Sequence, residues 1–273
     1  MRNIIAPVNF SENSNNAANY AADLALDANA DLHLLYVLKI PVTTSEFPAS
    51  YYVYDAMESA GIQQLNELWD ELINRTSGRI NIYTHIETGS FERVLEHYCT
   101  AKRPWMVVMG PSGSNLDRIL AGSNLVAAIR HLPYPIVVVP PNASYRHFFR
   151  VLIACDLEDA GAGLPVNKDF LKSLQERFHP SFDVLNITTP EQEKEIGKIF
   201  SSIVWEDSVQ DLHPDLHFLQ AEVVEDGISE YLDRHPADLI MVFPKKHHAL
   251  EFHKSHTKKM ILHSSVPIMS IHA

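Results

Sequence analysis

Short apolar runs alternate with longer amphipathic segments along the first half of the chain. Short runs rich in β-branched residues are typical of strands, and the pattern predicts five, at residues 2–8, 31–38, 79–86, 105–109 and 135–140. The second run, DLHLLYVLKI, is apolar almost throughout, as expected for a strand that is covered on both faces. The pattern therefore predicts a sheet with helices on both sides.

Between these runs, apolar residues recur at helical spacing. The first helical segment follows Ser11, a residue type that caps helix N-termini well. Two shorter helices are predicted over residues 90–101 and 123–131. The longest helix, over residues 55–75, carries an apolar stripe that we expect to be buried, formed by Ile62, Leu65, Leu68, Trp69 and Leu72.

The second half of the chain repeats the first in the same order. RNIIAPVNF at 2–10 recurs as RVLIACDLED at 150–159, and RPWMVVMGP at 103–111 recurs as HPADLIMVFP at 235–244. A third pair, IRHLPYPIVVVP and ILHSSVPIMSIH, follows. Ordered repetition indicates two copies of one structural unit. Strands are therefore also predicted at 150–155, 182–187, 216–220, 238–243 and 267–272.

Strands that alternate with helices indicate an α/β fold, here two tandem doubly wound domains, each with a five-stranded parallel sheet. PNASYRHFF at 141–149 separates the copies and has the composition of a linker, so we place the domains at residues 1–144 and 145–273. We expect the two domains to pack as a pseudo-dimer about an approximate two-fold axis. Ligands of such sheets bind outside the carboxyl ends of the strands.

Composition restricts the partners and the compartment. Of 273 residues, 46% are hydrophobic and 21% charged, and the formal net charge of −12 opposes non-specific binding to nucleic acid or to an anionic membrane. No apolar run approaches the length of a membrane span, and the N-terminus lacks the pattern of a secretory signal. The two cysteines cannot form a disulfide framework. We expect a cytoplasmic protein.

Glycine is concentrated in MVVMGPSGSNLDRILAGSNL, residues 106–125, which contains Gly110, Gly113 and Gly122. Bare backbone between a strand and a helix lets N–H groups approach a ligand closely. A helix that begins near Ser123 directs its positive end there, which suits phosphate, and the Ser123 and Asn124 side chains add donors. Glycines that serve only a tight turn are an equally weighted alternative. The spacing matches neither a Walker loop nor the Gly-x-Gly-x-x-Gly motif.

Four segments together, IIAPVNFSENS, LHLLYVLKI, VVMGPSGSNLDRILAGSNL and PYPIVVVP, resemble the universal stress protein family in a tandem two-domain form. The resemblance implies a five-stranded α/β fold of the adenine-nucleotide α-hydrolase-like kind. In the nucleotide-binding branch, the glycine loop and the next Ser or Thr hold phosphates and ribose. An acid after the first strand and a Val at the end of the second hold the nucleoside. Carried over, this implies a site for ATP or AMP at Pro7, Val8, Asn9, Val37, Met109, Gly110, Gly113, Gly122, Ser123 and Asn124.

This sequence departs from the family pattern in two places. Eight residues separate Gly113 from Gly122, where the family has nine, and Asn9 replaces the acid. Asparagine keeps an acceptor and removes a charge. The second half has no glycine in its corresponding loop at 242–260, but Asp156 stands at the acidic position. The second half is interpreted as a degenerate partner of the first or as a pocket for a different, anionic ligand.

Other candidate chemistry is weak. Five histidines lie among lysines near the C-terminus, but no cysteine or paired carboxylate completes a metal site, so a basic loop facing solvent or an anion is the better interpretation. Cys99 and Cys155 are expected to be small buried hydrophobes, and Ser112 lacks the nucleophile-elbow pattern. The histidines are His247, His248, His253, His256 and His263.

These observations predict a stress-response nucleotide-binding and signalling module that is not an enzyme and holds no metal. The alternatives are an interaction protein that binds no nucleotide and, below it, a slow ATP hydrolase. A further homodimer and a protein partner of unknown identity are compatible with the sequence.

Overall fold

The computed structural model describes residues 2–39, 51–111, 124–155, 168–188, 212–243 and 264–271. The chain divides into two compact units, residues 1–145 and 146–273. The described ranges contain ten strands and six helices. No helix within these ranges is both long enough and apolar enough to cross a membrane.

The first unit is a parallel sheet with the strand order β3-β2-β1-β4-β5. Chain order and spatial order differ because the chain starts in the middle of the sheet, runs to one edge and returns to complete the other side. The strands are β1 (Arg2–Val8), β2 (Ala30–Leu38), β3 (Ile82–Thr88), β4 (Met106–Met109) and β5 (Ile136–Val138). The helices are α1 (Glu12–Ala28), α2 (Tyr51–Thr76), α3 (Phe91–Lys102) and α4 (Asn124–His131).

The second unit repeats this topology, with the strand order β8-β7-β6-β9-β10. Every predicted strand overlaps an observed one, and the predicted doubly wound parallel fold is confirmed. Its strands are β6 (Arg150–Cys155), β7 (Ser181–Thr188), β8 (Asp215–Gln220), β9 (Leu239–Val242) and β10 (Ile268–Ser270). Its described helices are α5 (Lys168–Phe178) and α6 (Val224–Arg234).

Helices cover both faces of the first sheet. His33 and Tyr36 lie three residues apart on β2, so their side chains point to opposite faces. The imidazole of His33 contacts Tyr98 of α3, whereas the ring of Tyr36 lies against Gly61 of α2. This two-sided cover explains why β2 is apolar almost throughout and nearly all buried.

The buried stripe predicted for α2 is wrong at one position. Leu65, Leu68 and Leu72 are buried and Trp69 is half-buried, but 43% of Ile62 is exposed. The residue beside it, Gly61, faces the sheet instead, and a Cβ there would overlap the ring of Tyr36. The missing side chain of Gly61 thus lets α2 approach the Tyr36 ring closely, and the helical period alone does not contain this information.

Candidate functional site

Three strand ends meet at one edge of the first sheet. β1, β2 and β4 are adjacent and parallel, so their carboxyl ends lie at the same edge. Val8 pairs with Tyr36, and Met109 pairs with Val138 of β5. The structure thereby brings six predicted site residues to this edge: Pro7, Val8, Asn9, Val37, Met109 and Gly110.

These six residues differ in exposure. Pro7, Val8, Val37 and Met109 are buried and belong to the apolar end of the sheet. Asn9 is exposed and Gly110 is half-buried. A ligand at this edge would therefore contact an apolar floor and the polar turn that follows β1.

A closed hydrogen-bond network shapes the turn between β1 and α1. The backbone N–H of Ser11 donates to Oδ1 of Asn9 at 3.2 Å, and the Ser11 hydroxyl donates to the same oxygen at 2.7 Å. Ser11 is also the N-cap of α1, since its Oγ accepts from the N–H of Ser14. The Ser14 hydroxyl in turn accepts from the N–H of Asn9 at 3.0 Å. The acceptor that we expected Asn9 to offer a ligand is thus engaged inside the turn.

Phe10, at the centre of this turn, has a left-handed backbone with φ of 62°. This conformation is unfavourable for a residue with a bulky side chain. The Phe10 ring lies 4.8 Å from that of Tyr36, centroid to centroid. The ring contact and the Asn9–Ser11 bonds hold the turn in this conformation and so fix where Asn9 stands.

Gly110 is bare because a helix is packed against it. A Cβ at this position would overlap the carbonyl oxygen of Asn13, in the first turn of α1. The Asn13 side chain also donates from Nδ2 to the carbonyl of Pro111 at 3.2 Å. The first turn of α1 is therefore fixed to the start of the glycine stretch. At this glycine, packing between elements is sufficient to exclude a side chain.

The structure describes one of the four remaining predicted site residues. Asn124 is the first residue of that helix and is half-buried. Gly113, Gly122 and Ser123 lie outside the described residues. The same holds for Asp156, for the loop beyond residue 243 and for the five C-terminal histidines of the second unit.

The carboxyl edge of the first unit contains an open cleft of about 540 Å³. Among the described residues that line it, Asn124 is the one that the sequence predicted. The others follow β2 or lie at the end of β3, in the short loop after it and in the first turn of α3. A glycine between a strand and a helix was the signal that could have found them. They are Lys39, Thr88, Gly89, Ser90, Phe91 and Glu92.

The wall of this cleft is held in place by contacts to two neighbouring elements. The N–H of Gly89 donates to the carbonyl of Leu38 at 3.1 Å, which ties the loop after β3 to the end of β2. The hydroxyls of Tyr54 and Thr88 are 2.9 Å apart and join the end of β3 to α2. Lys39 places a positive charge on the rim. The described lining thus combines a fixed wall with one cation, Lys39, and one carboxylate, Glu92.

Titratable side chains also gather between the sheet and α3. His33 is buried, its Nδ1 lies 3.1 Å from the hydroxyl of Tyr98, and its ring stacks on Tyr83 at 4.9 Å. Burial, and then the charge of Lys102, lower the pKa of His33, while Asp31 opposes them. His33 is therefore neutral in the folded protein near neutral pH.

Stability is expected to fall in mild acid because of His33. The unfolded chain binds a proton at its usual pKa of about 6.5, whereas the folded imidazole resists it. The free energy of unfolding therefore decreases as the pH falls below that value. We expect this decrease in the free energy of unfolding, measured by urea denaturation at about pH 7.5 and about pH 5.5, to be smaller in His33→Gln than in the wild type. His97→Gln, at an exposed position of α3, is the matched control, and equal decreases in the two variants would contradict the prediction.

Cys99 lies beside this cluster and is buried. Burial raises the pKa of its thiol to about 12, so the reactive thiolate is absent at neutral pH. The prediction of a small buried hydrophobe is confirmed for Cys99. Within the described ranges, no group of three His, Cys, Asp or Glu side chains is placed to hold a metal ion.

The second unit has a related cluster at the corresponding place. The Tyr231 hydroxyl of α6 donates to Oδ2 of buried Asp183 at 3.2 Å, as Tyr98 of α3 contacts His33. Nε of Arg150 lies 3.6 Å from the same carboxylate, and Nε2 of His217 lies 4.0 Å from its other oxygen. Burial, followed by the charge of Asp183, raises the pKa of Tyr231. The phenol therefore stays protonated and remains a donor.

Each unit is thus a doubly wound α/β domain, and the first carries a polar turn and a cleft at the ligand-binding edge of its sheet. The profile of the universal stress protein family matches residues 1–140. The chain belongs to this family. No curated protein matches the sequence.

Solved structures resemble the whole chain in fold. A universal stress protein from Archaeoglobus fulgidus DSM 4304 has 15% sequence identity and a TM-score of 0.72, with 99% of this chain and 96% of that chain covered. A functionally unknown protein from Pseudomonas aeruginosa PAO1 has 14% identity and a TM-score of 0.59, with 100% and 92% covered. A putative universal stress protein from P. aeruginosa UCBPP-PA14 has 13% identity and a TM-score of 0.59, with 100% and 93% covered. At these identities the likeness concerns the fold.

Proposed function

We propose that the first unit binds an adenine nucleotide, ATP or AMP, and that the protein is a nucleotide-responsive signalling module of the stress response. The observation that supports this most is the convergence at one sheet edge. The ends of β1, β2 and β4 meet there with the polar turn before α1, and the cleft beside them joins Lys39 to the first residue of α4. Apolar strand ends suit a nucleoside, and the cation suits phosphate.

The proposed activity is binding without turnover. Phosphoryl transfer needs a group that positions the nucleophile and cations that neutralise the developing charge. Glu92 is the one carboxylate among the described residues that line the cleft. A single carboxylate beside one lysine supports recognition of a ligand better than hydrolysis. The proposed location is the cytoplasm.

One observation favours the second candidate, an interaction protein that binds no nucleotide. Gly110 is bare because the first turn of α1 occupies the space of its side chain. A protein of this fold that binds no ligand would therefore also need Gly110, so this glycine does not argue for a phosphate site. The test must for that reason use a different glycine of the stretch.

Gly122→Lys is expected to weaken nucleotide binding at least about tenfold, because a long side chain would stand where backbone must approach phosphate. Loss of one or two charge-assisted hydrogen bonds has this size. The added positive charge attracts an anion, so a loss of affinity would identify a steric cause. Titration calorimetry with ATP and AMP measures the effect, and phosphate release from Mg-ATP by the same samples should stay at background.

Gln64→Lys is the matched control, since it adds the same charge at an exposed position of α2. Its affinity should equal that of the wild type. If neither nucleotide binds the wild type at millimolar concentration, the nucleotide proposal fails and the second candidate takes its place.

A further inference from the structure

Asn9 offers a ligand chemistry different from that of the acid for which it stands. A backbone N–H can only donate, so the Asn9 atom that receives the N–H of Ser11 at 3.2 Å must be its oxygen. The same oxygen receives the Ser11 hydroxyl at 2.7 Å. An amide oxygen has two lone pairs, and both are used inside the turn.

The side-chain amide NH2 group of Asn9 is the part that remains available to a ligand. Its two N–H donors lie on an exposed side chain, and no described residue accepts a hydrogen bond from them. The side chain follows the Val8–Tyr36 pair, at the edge where the ends of β2 and β4 also lie. Asn9 therefore presents a fixed, neutral donor to the candidate nucleotide site.

We propose that Asn9 is a specificity-determining residue that donates from Nδ2 to an acceptor atom of the bound nucleotide. The acceptor belongs to the nucleoside, as a purine ring nitrogen does, or to a phosphate. This inference rests on the proposed nucleotide binding. It reverses the expected sign of a substitution, because restoring the acid of the family pattern should weaken binding in this chain.

The variant Asn9→Asp distinguishes the donor role proposed for Asn9 from the role of the acid in the family pattern. A carboxylate can accept both Ser11 bonds, so the turn is kept, but it removes the donor and adds a negative charge toward an anionic ligand. We expect at least about fivefold weaker binding of ATP and AMP by calorimetry. Thermal stability should be equal or higher, because an acid just before a helix N-terminus is favourable. A loss of affinity without a loss of stability excludes damage to the fold as its cause.

Asn9→Ala is the second variant, because it removes the donor without adding charge. Both variants lose the amide donor, which is the group that a ligand would contact. Both should therefore bind ATP and AMP more weakly than the wild type does. Unchanged or tighter binding by either variant overturns the inference and leaves the proposed function standing. A wild type that binds no nucleotide overturns the proposed function, and this inference falls with it.

Adenosine distinguishes the two sources of the acceptor. If the nucleoside supplies the acceptor, both variants also lose affinity for adenosine. If a phosphate supplies it, the loss is confined to AMP and ATP. Each result supports donation by Asn9 and assigns the recognised atom to one part of the ligand.

Discussion

Gly110→Ala is expected to lower the free energy of unfolding of the first unit by about 3 kcal/mol, the upper part of the range for overpacked sites. The new methyl group would overlap the Asn13 carbonyl oxygen, which is backbone and cannot rotate away. Two contacts keep α1 from shifting, namely the Asn13–Pro111 hydrogen bond and the cap formed by Ser11. Chemical denaturation of the variant and the wild type measures the difference.

Gly78→Ala is the matched control for this prediction. Gly78 has a left-handed φ of +64°, but no atom lies within 4 Å of the position of a Cβ. The substitution therefore carries only the conformational cost, about 1 kcal/mol. If Gly110→Ala is no more destabilising than Gly78→Ala, then α1 can move away from β4 and the packing explanation of Gly110 is wrong.

The second large effect is expected in the second unit, where Asp183→Ala should cost about 3 kcal/mol of stability. The substitution removes the partner of the buried Tyr231 hydroxyl and of one face of the Arg150 guanidinium. A buried donor left without an acceptor is costly because it has also lost water. Arg150 is partly exposed and can recover water, so the cost stays at the lower end of that for broken buried pairs. Chemical denaturation again provides the measurement.

Arg234→Ala is the control for Asp183. Arg234 and Glu230 form a closer ion pair, 2.8 Å, but both side chains are at least half exposed. Exposed pairs one helical turn apart contribute about 0.3–0.5 kcal/mol. We therefore expect the longer but buried contacts of Asp183 to matter several times more. Equal costs for the two substitutions would show that the Asp183 cluster does not stabilise the second unit.

The positions of the elements could be predicted from the sequence because they depend on local properties. A run such as DLHLLYVLKI is too apolar to be left exposed, and the cap at Ser11 and the alanine-rich segment after it define α1. The alternation of strand and helix patterns predicted the parallel topology of each unit, and the ordered repeats predicted that there are two copies. Strand ends were less well determined, and β3 begins three residues later than its pattern indicated.

The residues assembled at the candidate site were only partly predictable. Parallel strands necessarily bring their carboxyl ends together, and Pro7, Val8, Val37 and Met109, which the family resemblance implied as site residues, lie at one edge. The cleft between the ends of β2 and β3 and the start of α4 was missed. It is lined by segments that are distant from one another in the chain, and no local pattern encodes how such segments are placed in space.

The sequence by itself determined which segments are strands and helices and how they repeat, because these follow from burial and periodicity. Only the tertiary structure decided what individual side chains are free to do. It showed that Gly110 makes room for α1, that Gly61 rather than Ile62 faces the sheet, and that the oxygen of Asn9 is used by Ser11. Each of these depends on which atoms of another element or turn lie within a few ångströms, and that information exists only after the chain has folded.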